Sequence, residues 1–204
     1  MKIIERLGID ELWEINPDLI DRISKTLSPE FVRHLVKEFG VFSKEEYDNY
    51  IDSSGIQGHF YDWLKIKLQS QLAPIYYHLN ESIENRRILD LGCGSHSGTY
   101  ESREFKPQTW EPWLCRALLS LGANPIGIDI GDLSKERFEH YQANLLSENS
   151  LEMILPHSVD IANAELLYDS PTLEEMWGSR NLRSLLLPQL ERVVNPNGYF
   201  IENT

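Results

Sequence analysis

The chain has 204 residues and a formal net charge of -13, with 41% hydrophobic and 25% charged residues, which suits a globular protein long enough to bury a full core. The acidic balance argues against nucleic acid as a partner, because a phosphate-tracking surface needs a basic stripe and none is visible. Neutral or cationic small molecules fit better.

The N-terminus, Met1-Lys2-Ile3-Ile4-Glu5-Arg6, lacks the apolar core of a signal peptide, and no run approaches the ~18 apolar residues of a membrane span, so the expectation is a cytoplasmic protein without membrane contact. Residues 1 to about 80 read as helical. Asn16-Pro17 supplies an N-cap and a first-turn proline for a helix over Asp18 to Leu27, whose Leu19, Ile20, Ile23 and Leu27 share one face. Ser28-Pro29 repeats the device ahead of Phe31, Val32, Leu35, Val36 and Phe39, with Gly40 as the stop. Ser43 and Glu46 make a capping box for a short third helix ending near Ser54-Gly55. A fourth helix over about Phe60 to Leu79 is expected to kink or split at Pro74. Its start, His59 to Trp63, is aromatic and reads either as core packing or as a lid over a downstream loop.

From Glu84 the pattern changes to strand, loop and helix in alternation, the signature of a parallel sheet covered on both faces. Strand one is Arg87 to Leu91, and it stops at the tight loop Gly92-Cys93-Gly94-Ser95, where glycines let backbone N–H groups approach a ligand. Asp90, a carboxylate in a buried strand end, requires a hydrogen-bond partner or a cation. A polar, aromatic stretch from Thr99 to Glu111 precedes a helix over Pro112 to Leu121, stopped by Gly122. Cys93 and Cys115 match neither a disulfide framework nor a metal-ligand spacing and read as free thiols. Strand two is Pro125 to Ile130. Strand three, Phe138 to Ala143, follows a weak helical segment, and strand four is Val159 to Ala164. A helix from near Thr172, resuming through Asn181 to Val194, leads to a turn at Asn195-Pro196-Asn197-Gly198 and strand five, Tyr199 to Glu202.

The expected fold is therefore a doubly wound α/β sheet of about five parallel strands, residues 84–204, behind an N-terminal helical cap, residues 1–83. Asp90 with the glycine loop, Asp129 and Asn144 fall at the C-terminal ends of strands one, two and three, the edge where open α/β sheets bind ligands. Asp129 is placed to accept from both ribose hydroxyls while the loop and the following helix N-terminus hold the ligand's anionic end. That pattern describes a nucleoside-like ligand.

Four segments, Ile88-Leu89-Asp90-Leu91-Gly92-Cys93-Gly94, Ile126-Gly127-Ile128-Asp129-Ile130, Ser158-Val159-Asp160-Ile161 and Leu190 to Ile201, together resemble the class I S-adenosylmethionine-dependent methyltransferases, in the right order from about Glu84 onward. The resemblance implies a Rossmann-like fold and S-adenosylmethionine as cofactor, with S-adenosylhomocysteine as product. It places Asp90, Gly92, Gly94 and neighbouring Ser95 at the methionine portion, Asp129 at the ribose, Ile130 on one adenine face and Asn144 with Leu145 at the adenine edge. It further implies methyl transfer to an oxygen or nitrogen of a small-molecule acceptor, with Glu165, one residue after strand four, and His96 in the loop as candidate bases. The chain departs from the family at His96, where a third glycine is usual, in the Thr99 to Glu111 insertion, and at Asn144, where an acidic residue is common. It also stops at strand five, without the family's final antiparallel pair. Either a natural short form or a fragment is expected, with strand five as an exposed edge that the N-terminal helices or a homodimer partner covers. Two rivals are weighed. A dinucleotide fingerprint fails because its third glycine would fall at Ser97. A methyltransferase fold serving as a non-catalytic binding or interaction module remains open.

Overall fold

A computed structural model describes residues 1–39, 60–80, 82–95, 111–165, 167 and 182–202. The expected short helix over 43–55, the stretch 99–110, His96 and the start of the helix near Thr172 lie outside them. The described residues form two compact units: a sheet unit, drawn from Met1–Arg6, Ile83–Thr99 and Trp110–Thr204, and a helical unit drawn mainly from Leu7–Ser82.

In the helical unit, α1 (Ile9–Ile15), α2 (Pro17–Thr26), α3 (Pro29–Phe39) and α4 (Phe60–His78) pack together, α2 and α3 through single apolar faces and α4 buried all round over residues 71–75. Asn16 Oδ1 accepts from Leu19 N at 3.1 Å and Ser28 Oγ from Phe31 N at 3.2 Å, so both expected caps form. Leu19, Ile20 and Ile23 of α2 and Val32, Leu35 and Val36 of α3 are buried, as are Phe60, Leu64, Leu68, Leu72 and Ile75 of α4. α4 runs on through Pro74, so of the expected kink or split the split does not occur. The proline lies one turn from the helix end, where burial of residues 71–75 offsets the hydrogen bond it removes. Among the described residues, no helix is long and apolar enough to cross a membrane.

The sheet unit is a Rossmann-like α/β fold. Its strands are β1 (Lys2–Glu5), β2 (Arg87–Leu91), β3 (Asn124–Asp129), β4 (Glu139–Gln142), β5 (Val159–Ala164) and β6 (Val194–Glu202), all parallel, in the order β1-β6-β5-β2-β3-β4. Among the described residues two helices accompany them, α5 (Trp113–Ser120) between β2 and β3 and α6 (Leu182–Val193) between β5 and β6. One face buries Leu89, Leu91, Ile126, Ile128, Ala162, Ala164 and Phe200 with Leu182, Leu186, Leu190 and Val193 of α6. Strand alternation turns Ile88, Asp90, Gly127 and Asn163 to the other face, where Cys115 of α5 meets Asp90.

Three expectations change. The sheet has six strands rather than about five, because residues 2–5, read as part of a helical cap, form β1. This strand pairs in parallel with β6, Ile3 opposite Phe200 and Ile4 opposite Ile201. The edge of the expected strand five is therefore occupied by the chain's own β1 and is not open to a homodimer partner. The segment 130–138 holds turns and no helix. Finally, Asn195 to Gly198 do not form a separate turn before the last strand. They are a bulge within β6, where Val194 sits opposite Val159 and Tyr199 already opposite Ile161. Gly198 is required there, since a Cβ would stand 2.6 Å from the Asp160 carbonyl oxygen.

Candidate functional site

At the C-terminal edge of the sheet the chain reverses direction of winding between β2 and its neighbour β5, the switch point at which such sheets leave a crevice. The turn leaving β2 uses left-handed backbone at Gly92 (φ 68°) and Gly94 (φ 90°). At Gly92 even the space is closed to a side chain, with Leu167 Cδ1 2.9 Å from a Cβ position. Gly92 N and Cys93 N both donate to Ile128 O of β3, at 2.8 and 3.1 Å. Asp129 then fastens the next layer: its Oδ2 accepts from Gly94 N at 3.0 Å and its Oδ1 from Gly131 N at 2.8 Å. Each carboxylate oxygen has a second lone pair to offer. Buried Ser95 packs so closely on Gly131 that a Cβ there would fall 1.9 Å from its Oγ.

Asp90 is 5% exposed and finds its partner across the switch point. Its Oδ1 accepts from Asn163 Nδ2 at 2.8 Å, and the Cys115 thiol approaches Oδ2 at 3.8 Å. Asn163, fully buried and directly opposite Asp90 in register, passes the connection on: its Oδ1 accepts from Arg6 Nη2. A polar chain thus runs Arg6, Asn163, Asp90, Cys115 over β6, β5, β2 and α5. Burial lowers the affinity of the Arg6 guanidinium for its proton, and the negative charges of Glu165 and Asp90 oppose that shift. Glu165 follows β5 directly and is half-buried.

The two thiols lie in the same layer. Both are buried and free, and each is pushed up from its ordinary pKa, by burial above all. Gly127, opposite Asp90 on β3, makes room for them, because a Cβ would meet Phe138 Cε2 at 2.7 Å and Cys93 Sγ at 2.9 Å. Beyond them Arg116 of α5, fully buried, donates from Nε and Nη2 to both oxygens of Glu136 at 3.2 and 2.8 Å and from Nη1 to Glu111. Its Cζ stands 4.6 Å from the Trp113 ring centroid. Burial disfavours the Arg116 cation, but its bonds to Glu136 and the charges of both glutamates more than compensate.

Asp90, Gly92, Gly94, Ser95 and Asp129 are thus gathered at one corner of the sheet edge. Ile130 is 42% exposed just past β3. Asn144 uses its Oδ1 to accept from Leu146 N at 3.0 Å, closing an Asx turn after β4, and leaves its amide nitrogen for another acceptor. Leu145 points away, buried in the core beneath α6. His96 is outside the described residues. Sequence reasoning missed Arg6, Asn163 and the Arg116 cluster; the readable signal was Asn163, a polar residue at the centre of an otherwise apolar strand end. No protein-family model matches the chain, and no curated protein does.

Proposed function

We propose that the sheet unit binds S-adenosylmethionine at the C-terminal edge of β2, β3 and β4 and transfers its methyl group to an oxygen or nitrogen of a small-molecule acceptor in the cytoplasm. One observation carries the reading: the left-handed Gly92/Gly94 turn at the switch point is tied to β3 through Asp129, whose oxygens keep lone pairs for ribose hydroxyls. Ile130 offers an exposed apolar side chain to an adenine face, and the Asn144 amide nitrogen suits an adenine ring acceptor. Bound, the sulfonium cofactor supplies an electrophilic methyl group. The chain's task is to hold the acceptor in line and dry while its proton leaves. Calorimetric titration with S-adenosylmethionine and S-adenosylhomocysteine tests this. Binding of both at micromolar Kd, about -8 kcal/mol, supports it, and a folded sample that binds neither sinks it.

A second reading, cofactor binding without transfer, draws on the spent donors of the loop: the N–H groups of Gly92, Cys93 and Gly94 all bond within the protein. Its mark is tight binding with no methyl loss from S-adenosylmethionine across alcohol, phenol and amine acceptors.

A further inference from the structure

Arg6 and Glu165 hold polar atoms that the fold buries and does not satisfy. Arg6 Nη2 is engaged by Asn163, but Arg6 Nε and Nη1 and Glu165 Oε2 are buried without a hydrogen-bond partner. Natural proteins rarely tolerate such atoms, since each forfeits its bonds to water and receives nothing in return. The two side chains sense each other's charge, yet no ion pair joins them. Something between them is wanted that accepts from one and donates to the other.

Their place in the fold says where that group belongs. Arg6 leaves the end of β1 and reaches over β6 to Asn163, the residue opposite Asp90 at the switch point. Glu165 lies two residues beyond Asn163 on the same strand end. The charge balance says what the group is. A plain anion meets one guanidinium but two carboxylates, Glu165 and Asp90. A plain cation is opposed by Arg6. A group carrying both charges close together satisfies every partner.

We infer that Arg6 and Glu165 form a subsite for a zwitterionic α-amino acid group, its carboxylate accepting from Arg6 and its ammonium donating to Glu165. This rests on the cofactor reading above, for which the methionine end of the ligand is that group, and it gives β1 a role in recognition as well as in the sheet.

The experiment compares two ligands in the full chain. S-adenosylhomocysteine carries the amino acid group; 5′-methylthioadenosine keeps the adenosyl thioether and lacks it. Wild type is expected to bind the first about tenfold or more tightly than the second. Arg6→Gln removes the guanidinium and is expected to erase that preference, with 5′-methylthioadenosine affinity held within about twofold. Arg6→Lys keeps a charge for the buried carboxylates and serves if the first variant does not fold; it is expected to lose most of the preference too. Glu165→Gln leaves the Arg6–Asn163 bond intact and is expected to reduce the preference by a smaller factor. Equal affinity of wild type for both ligands, an unchanged preference in the Arg6 variants, or parallel loss of both ligands overturns the subsite while leaving the cofactor reading standing. Failure of folded wild type to bind either ligand overturns that reading and the subsite with it.

Discussion

Replacing Arg116 with methionine is the sharpest structural test of the sheet unit. The substitution keeps an unbranched side chain but withdraws the guanidinium that holds Glu136 at two points and Glu111 at a third. All three side chains are all but sealed from solvent, at 1% for Arg116 against 2% and 4% for the glutamates. Breaking one buried ion pair from one side costs about 3 to 5 kcal/mol because the remaining charge has neither water nor partner. Here two carboxylates lose the same cation, so that range is the floor. For a chain of this size it corresponds to a Tm lower by about 6 to 20 °C. Urea unfolding followed by tryptophan fluorescence reports it, since Trp113 stacks on the guanidinium. The control is Arg116→Met combined with Glu111→Gln and Glu136→Gln, which removes the stranded charges and is expected to restore most of the loss. A single variant within about 1 kcal/mol of wild type, below what a buried pair costs, refutes the reasoning, as does a triple variant no better than the single.

Three further outcomes follow from the geometry. Asp129→Ala takes two hydrogen bonds from loop N–H groups and the proposed ribose contacts together; S-adenosylhomocysteine affinity is expected to fall by several-fold or more, about 1 to 3 kcal/mol per charge-assisted bond, and unchanged titration curves rule the assignment out. Gly127→Ala drives a methyl group into Phe138 and Cys93 and is expected to cost about 1 to 3 kcal/mol in urea unfolding; a neutral result means the thiol layer is looser than drawn. Burial holds the His78 imidazole below its ordinary pKa of 6.5, so on acidification the unfolded chain takes up that proton first. Stability is lost from about pH 6.5 down through the lower folded value. His78→Gln is expected to flatten this part of the curve between about pH 7 and pH 5, and parallel curves for the two proteins exclude the histidine.

The strands that carry the ligand edge were legible because they are buried on both faces. Arg87 to Leu91 and Val159 to Ala164 have in the structure the bounds their apolar runs imply. The helix caps at Asn16 and Ser28 were equally readable, being local chemistry. What could not be read is what depends on distant partners. β1 is four residues long and mostly exposed, so it shows no alternation, and only the β-branched pair Ile3-Ile4 hints at it. Its existence rests on β6, whose own boundary was hidden by the turn-like Asn195 to Gly198, residues that a bulge uses as readily as a turn does. At the site, Asp90 was recognised as needing a partner. That the partner is Asn163, backed by Arg6 from the opposite end of the sequence, is a matter of sheet order and leaves no trace in local spacing.

The pairing of β1 with β6 also sets a timetable. The Met1 amino group donates to Pro196 O at 2.9 Å across 195 residues, so β1, translated long before β6, is among the last strands able to dock. At ribosomal rates of about 5 to 20 residues per second, it waits on the order of 10 to 40 s for its neighbour. Until then neither the sheet edge nor the Arg6 contact with Asn163 exists. β2, β3, β4 and β5 are therefore all synthesised before β1 has its neighbour. Closing so long a loop makes this docking a slow, late event in refolding as well.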